Sequence, residues 1–216
     1  KGVRTRSMLG TIQIANGGAC CFQVKEPGAD DVTPGGQAIE GVILCSHPTN
    51  VLWGHDFSHR EQGELPVCRS MDGVTGIDNN GECHDCASCP HNQFGSDGAG
   101  KACKNGRRVY IIREGDTLPI RIDLAPTGNK PYEKYVDNLL LPRKKGQRPM
   151  RPIQVVTRVG LKVETNNAGT KYSVPTFECV GAVPEAARAS LLACAENPKQ
   201  AAQNAFVQLP DDQIPA

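Results

Sequence analysis

Alternating apolar and polar positions predict short strands along much of this chain. Residues 8–14 alternate over most of their length, as a half-buried strand does, and residues 39–45 form a second strand candidate. Beyond residue 108 the pattern predicts further strands separated by turn-forming residues. These later strands span residues 109–113, 118–124, 154–164 and 172–180.

Two segments follow a helical period instead. Apolar residues between 132 and 140 recur three and four positions apart, so they form one stripe on a helix. We expect Pro131 in the first turn of this helix and Pro142 at its end. A second helix begins at Pro184. Five or six strands and two short helices indicate a mostly β fold, either a small antiparallel barrel or a sandwich.

The segment 68–106 interrupts the strand pattern. It is rich in Gly, Asp, Asn and Cys and poor in aliphatic residues, so it cannot bury enough apolar surface to fold alone. Five of the ten cysteines lie between residues 68 and 103. This clustering, with no export signal at the start of the sequence, favours zinc in a reducing compartment over disulfides. We therefore expect an insertion that a metal stabilises.

The spacing of these cysteines suits a structural zinc ion. A Cys-x2-Cys pair places two sulfurs of one tight turn on the same ion, and either 83/86 or 86/89 provides that pair. The second pair must then come from the ends of the loop. A set of four thiolates favours a closed site without catalysis. The preferred ligands are Cys68, Cys86, Cys89 and Cys103, with Cys83, His84 and His91 as alternates.

Positive charge is concentrated in one part of the chain. Residues 101–171 contain 16 Lys or Arg against 6 Asp or Glu, although the net charge of the whole chain is only +1. A basic segment of this kind suits a polyanionic partner. No apolar run reaches the roughly 20 residues that a membrane span needs, so we expect no membrane partner and a cytoplasmic protein.

Three stretches of the sequence resemble a family of bacteriophage and mobile-element proteins that bind single-stranded DNA. They are 86–96 (CASCPHNQFGS), 100–105 (GKACKN) and 107–115 (RRVYIIREG), and the resemblance extends over roughly residues 39–183. It implies an OB-fold-like antiparallel barrel with a zinc-binding loop insertion and two short α-helices. It also implies a role in replication or recombination in a bacterial host cell. The acidic tail common in such proteins is reduced here to Asp211 and Asp212.

These expectations divide the chain into four parts. Residues 1–67 would supply the first barrel strands and loops, and residues 68–106 the zinc-binding insertion. Residues 107–196 would supply the remaining strands and the helices. Residues 197–216 would form a flexible C-terminal tail.

Binding that tolerates any base sequence needs cations along the phosphates and aromatic rings that stack on bases. The basic segment and its neighbours supply candidates for both, although a solvated surface explains each cation and a core position each aromatic equally well. The candidate cations are Lys101, Lys104, Arg107, Arg108, Arg113, Arg121, Arg158 and Lys162. The candidate aromatic residues are Trp53, Phe94, Tyr110 and Tyr172.

Two other functions fit parts of the sequence. A zinc-ordered loop and the acidic half of the chain suit a protein-interaction module that docks onto replication proteins. The residues His47, His55, Asp56 and His59 form a loose cluster of the kind a metal-dependent nuclease uses. However, the sequence has no Gly-rich phosphate loop, nucleophile elbow or pair of catalytic carboxylates, so we expect a binding protein and not an enzyme.

Overall fold

A computed structural model describes residues 9–15, 17–55, 65–141, 146 and 148–204, with the backbone alone for 197–204. The fold is mostly β with two α-helices, as the pattern predicted. The helices are α1 (Pro126–Leu140) and α2 (Glu185–Asn204). The strands found in these residues are β1 (Thr11–Ile14), β2 (Phe22–Lys25), β3 (Thr33–Gly36), β4 (Ala38–Leu52), β5 (Cys68–Ser70), β6 (Thr75–Asp78), β7 (Cys83–Asp85), β8 (Lys104–Ile112), β9 (Ile120–Leu124), β10 (Val155–Thr165) and β11 (Lys171–Ala182).

The chain divides into two compact units. Unit 1 comprises Lys1–Ser46 and Arg108–Pro198, and unit 2 is built around His47–Arg107. Strands β4 and β8 each contribute residues to both units. The predicted insertion, residues 68–106, lies within unit 2.

One sheet of unit 1 separates a polar face from the core. Strand β1 pairs antiparallel with β2 and parallel with β9, so Thr11 lies beside Lys25 on one side and Arg121 on the other. Alternation then places Ile12 and Ile122 on the opposite face, where each is 1% exposed. The short strand β3 extends this sheet beyond β2.

Helix α1 covers the apolar face. Tyr132, Tyr135 and Leu139 point into the core, and the Tyr135 hydroxyl shares a 2.6 Å hydrogen bond with Thr157 Oγ1. The Phe177 ring of β11 packs edge-on to Tyr132 at 5.4 Å and is stacked with Tyr135 at 5.8 Å between centroids. The predicted helical stripe is therefore the packing surface of α1.

Helix α1 begins earlier than the sequence predicted. Pro126, not Pro131, occupies the first turn, and Pro131 lies inside the helix. A proline at the first position loses no intrahelical hydrogen bond, because that amide has no partner there anyway. Pro131 removes one such bond, and the burial of Tyr132 and Tyr135 directly after it offsets this loss.

A hairpin of β10 and β11 completes unit 1. Its register runs from Val155 opposite Ala182 to Thr165 opposite Lys171, and β10 also pairs with the first part of β4. Helix α2 packs Ala195 against a second apolar cluster that contains Leu44. The helical backbone continues to Asn204, and the rest of the predicted tail, 205–216, lies outside the described residues.

The expected all-antiparallel barrel needs correction. Strand β1 runs parallel to β9, so the sheet is mixed. In the part of the chain that the structure describes, the strand order leads from β3 to β7 with the hairpin joined at β4, and the pairings do not close into a ring. Strand β3 forms from a Gly- and Pro-rich sequence, Thr33–Gly36, for which the alternation of apolar and polar residues predicted no strand. No described helix has the length and apolarity needed to cross a bilayer.

Candidate metal centre and basic sheet face

The four preferred zinc ligands lie around one cleft in unit 2. Cys68 begins β5, Cys86 follows β7, Cys89 precedes the 3-10 turn Pro90–Asn92, and Cys103 precedes β8. All four line the same cleft of about 340 Å³. Cys83 does not line this cleft and is exposed, so the structure separates it from the other four. The alternates His84 and His91 do line it.

Burial and mutual repulsion affect these thiols. Cys86 is 6% and Cys103 is 8% exposed. Burial, with smaller contributions from the neighbouring thiolates, raises the pKa of the Cys103 thiol to about 11. Burial and the nearby Cys86 and Cys89 also raise the pKa of the Cys68 thiol. A bound cation would stabilise the thiolates and release their protons, so this donor set fits a thiophilic metal such as zinc.

A glycine leaves room for the sulfurs. Gly76 lies on β6 diagonally across from Cys68 in the β5–β6 pair. A Cβ atom at Gly76 would lie 2.8 Å from the Cys68 Sγ and 3.6 Å from the Cys86 Sγ. The absence of a side chain at this position therefore creates space beside two proposed ligands.

We expect Gly76→Ala to weaken zinc binding more than it weakens the fold. The new methyl group would contact the Cys68 sulfur, which can rotate away when free but not when it binds a metal. Competition with a chromophoric chelator should show at least tenfold weaker zinc binding, a difference of about 1.4 kcal/mol. Gly81→Ala is the control for an exposed glycine with open space around its Cβ position, although its positive φ adds some strain. Equal zinc affinity in wild type and Gly76→Ala would contradict the assignment.

Asparagine side chains brace the turn between Cys86 and Cys89. Asn92 donates a 2.7 Å hydrogen bond from its Nδ2 to the Cys86 carbonyl. Asn105 Nδ2 in turn donates to Asn92 Oδ1 at 2.8 Å and to Asn50 Oδ1 at 2.6 Å. Asn50 is 5% exposed and donates to the Gly73 carbonyl at 3.1 Å. This network links the loop that carries the cysteines to strands β4 and β8, a role that their sequence spacing does not indicate.

Another group of metal-type donors lies close by. In the described residues, Asp78, Glu82 and His84 place one donor atom each within 4.8 Å of the others, a spacing that no three of the cysteine sulfurs meet. Hydrogen bonds within the turn account for the position of the Asp78 carboxylate. It accepts bonds from the Glu82 amide at 2.9 Å and from His84 Nε2 at 3.0 Å. These bonds, the one from His84 foremost, also lower the pKa of Asp78.

We favour the sulfur set over this group. Hydrogen bonds within the turn already account for the cluster of Asp78, Glu82 and His84, and both Glu82 and His84 are exposed. The cysteines are more buried and converge on one cleft. A cysteine sulfur moves between staggered positions by rotation about a single side-chain bond, so thiols without a metal need not stand at the spacing of bound ligands.

Two arginines of unit 1 share one carboxylate. Arg108 Nε lies 2.6 Å from Asp123 Oδ1, and Arg121 Nε lies 3.1 Å from Asp123 Oδ2. Thr11, Gln13, Gln23 and Lys25 lie on the same side of the sheet by strand alternation. We call these seven side chains the basic sheet face. Within strands β1, β2, β8 and β9, all of them fully described, Asp123 is the only acidic residue.

Other candidate cations have carboxylate partners of their own. Arg113 bonds to Glu26 at 2.8 Å and to Asp116 at 2.7 Å. Such pairs reduce the positive field that a count of basic residues suggests. The remaining pairs are Lys104 with Asp97, Arg158 with Glu40 and Lys162 with Glu164. Arg107 is half-buried on the part of β8 that belongs to unit 2.

The candidate aromatic residues differ in exposure. Tyr110 is 4% exposed, so its ring has little open surface on which a base could stack. Tyr172 is half-buried, and its hydroxyl donates to Glu164 Oε2 at 3.3 Å. Trp53 is half-buried after β4. Phe94 is 81% exposed in the cysteine-bearing loop, with Lys101 Nζ 5.0 Å from its ring centroid, and remains the best-placed ring for stacking.

The predicted nuclease cluster is only partly described. Asp56 and His59 lie outside the described residues. His55 is exposed after β4, and His47 Nδ1 lies 3.1 Å from the Pro48 carbonyl. These positions define no catalytic geometry.

The chain is thus a mostly β protein with a cysteine-lined candidate metal centre in one unit and a basic sheet face in the other. Comparisons with protein-family models, curated proteins and solved structures found no match. The function is therefore argued from these residues.

Proposed function

We propose that this chain is a zinc-stabilised protein that binds single-stranded DNA without strong sequence preference and catalyses no reaction. The observation that carries the proposal is the basic sheet face. Lys25, Arg108 and Arg121 lie there with a single acidic residue, Asp123, on the side of the sheet opposite the apolar core. A surface of this charge attracts the phosphates of a nucleic acid.

The polar side chains that lie between these cations on the sheet are suited to contact single-stranded DNA. Gln13 and Gln23 are exposed, and their amides both donate and accept hydrogen bonds, so they can contact the edges of any base. Four neighbouring β-strands at about 4.8 Å spacing give a surface roughly 15 Å wide. One extended strand of DNA covers a surface of this width. Phe94 in unit 2 offers a separate exposed ring of the kind on which bases stack.

The resemblance to phage and mobile-element proteins supports the same function. It would make unit 1 a relative of the OB-fold, a five-stranded and partly open barrel that binds oligonucleotides on one face. The protein would then protect single-stranded DNA during replication or recombination in the cytoplasm of a bacterial host.

The metal has a structural role in this proposal. Strands β5, β6 and β7 contain three or four residues each, and few apolar side chains of unit 2 are buried. Zinc bound by Cys68, Cys86, Cys89 and Cys103 would supply the folding energy that such a small core lacks. These thiolates would hold the loop that carries Phe94.

A protein-interaction module is the second candidate, because unit 2 exposes several large apolar side chains. An exposed apolar surface of this kind often contacts a partner protein. A replication protein is the partner that the resemblance suggests. The exposed residues are Leu65 at 69%, Val67 at 40%, Val74 at 61% and Phe94 at 81%.

Fluorescence anisotropy with a labelled dT oligonucleotide tests the proposal. Three phosphate contacts at a slope of about 0.7 each should weaken binding roughly 20-fold when salt rises from about 50 to 200 mM. Duplex DNA should compete poorly, and an RNA competitor of equal length measures the preference for DNA. Zinc-loaded protein that binds no oligonucleotide at low salt would refute the proposal, and capture of a purified polymerase or helicase by that protein would favour the second candidate.

A further inference from the structure

The arrangement of Arg108, Arg121 and Asp123 has an excess of positive charge. Asp123 accepts from Arg108 Nε at 2.6 Å and from Arg108 Nη2 at 3.4 Å, and it lies 3.1 Å from Arg121 Nε. The arginine side chains are only 15% and 29% exposed, whereas the carboxylate is 49% exposed. Both partly desolvated guanidiniums thus contact the same carboxylate, and that carboxylate faces solvent.

The pKa of Arg121 shows that Asp123 does not fully compensate the burial of this side chain. Burial lowers the pKa of Arg121, and the positive charge of Arg108 lowers it further, while Asp123 acts in the opposite direction. The net shift of the Arg121 pKa is downward and burial is its largest cause, so the contact with Asp123 does not offset the desolvation of this guanidinium. Arg108 also hydrogen-bonds to the Tyr110 hydroxyl, which fixes its guanidinium against the sheet.

The other described arginine pairs of unit 1 have no such excess. Arg113 contacts two carboxylates, Glu26 and Asp116, and their hydrogen bonds raise its pKa. Arg158 has a carboxylate to itself, Glu40, at 2.6 Å. Two arginines that share one carboxylate are therefore a feature of the basic sheet face and not of the Arg113 and Arg158 pairs.

We propose that Asp123 occupies a phosphate site and that a phosphodiester of the nucleic acid displaces it from Arg108 and Arg121. This inference rests on the proposed function and names one site within it. A phosphodiester carries one negative charge and two terminal oxygens, as the carboxylate does, and it suits the fork of a guanidinium. The arginines stay in place, held by the sheet and by Tyr110, while the half-exposed Asp123 rotates into water.

This competition has a functional consequence. Every binding event at the site must first break the contacts of Asp123, so the carboxylate weakens binding at this position. The Asp123 carboxylate also returns to the two arginines as the DNA dissociates, and this competition speeds dissociation of the DNA. A protein that coats single strands and must later yield them to other proteins benefits from such weakening.

Asp123→Asn tests the inference because it should increase affinity. We expect the labelled dT oligonucleotide to bind about tenfold more tightly than to wild type at low salt. Thermal unfolding of Asp123→Asn at the wild-type temperature excludes misfolding as the cause of the gain. Glu40→Gln is the matched control, because it also removes one negative charge and releases Arg158 outside the basic sheet face. It should change affinity much less than Asp123→Asn does, and at about 0.15 M salt, where charges more than about 8 Å apart are largely screened, its effect should fall below about twofold.

Each outcome decides the inference. Tighter binding by Asp123→Asn alone supports it, provided that Arg108→Gln and Arg121→Gln abolish the gain. Equal gains in both variants would show a general charge effect, and unchanged or weaker binding by Asp123→Asn would show that Asp123 only positions the arginines; either result overturns the inference. If wild type binds no oligonucleotide, the proposed function fails, and the inference survives only if Asp123→Asn binds.

Discussion

Replacing Cys86 and Cys103 by serine should remove the zinc and unfold unit 2. These are the most buried of the four proposed ligands, and a serine hydroxyl is a poor zinc ligand. Apparent zinc-binding free energies of about 10–16 kcal/mol in small cysteine sites exceed what the few buried apolar residues of unit 2 provide. We expect the zinc content to fall from about one ion per chain to nearly none, and unit 2 to become sensitive to limited proteolysis.

Cys83→Ser is the control for this prediction. Cys83 lies three residues from Cys86 but is exposed and does not line the cleft. Its replacement should leave the zinc content and the proteolysis pattern unchanged. Loss of zinc in Cys83→Ser, or full retention of zinc in Cys86→Ser, would show that the ligand set is wrong.

Replacing Arg108 and Arg121 together by glutamine should weaken single-stranded DNA binding by about 100-fold at low salt. Both side chains belong to the basic sheet face, and each phosphate contact that contributes about 1.4 kcal/mol corresponds to a tenfold change in affinity. The loss should be similar for different base sequences, because phosphate contacts position the strand and do not read its bases. Anisotropy titrations with several oligonucleotides of equal length measure it.

A variant with the same change in net charge separates this site from a diffuse field. Arg158→Gln with Lys162→Gln removes two positive charges from β10, where each is paired with a carboxylate. We expect less than a threefold loss from this variant. Equal losses in the two double variants would mean that net charge governs binding and that the basic sheet face has no special role. Thermal unfolding of both variants checks that the fold is intact.

Local patterns predicted both helices and about half of the strands, and they selected the cysteines for the candidate site. The sequence pattern identified β10 and β11 within one or two residues, and in β10 the buried Val155, Thr157 and Val159 do alternate with less buried positions. The Cys-x2-Cys spacing, together with Cys68 and Cys103, selected the residues that line one cleft. The strand pattern and the Cys-x2-Cys pair each lie within a few residues of sequence, whereas Cys68 and Cys103 were selected because they flank the loop.

Features that depend on distant residues were not predictable in this way. Arg113 bonds to Glu26 across 87 residues and Arg158 to Glu40 across 118 residues, so a local count of charges overestimated the basic surface. The room that Gly76 leaves for Cys68 depends on the register of β5 and β6. Lys25 was overlooked because β2 has only four residues, too few for a clear alternation.

X-ray absorption at the zinc edge on the purified protein tests the central claim, that thiolates hold a structural metal in unit 2. The account predicts one zinc ion per chain with a first shell of four sulfur atoms at about 2.3 Å. A shell of oxygen and nitrogen atoms at about 2.0–2.1 Å would instead indicate the group formed by Asp78, Glu82 and His84. That result, or protein that folds and binds DNA without zinc, would contradict the account.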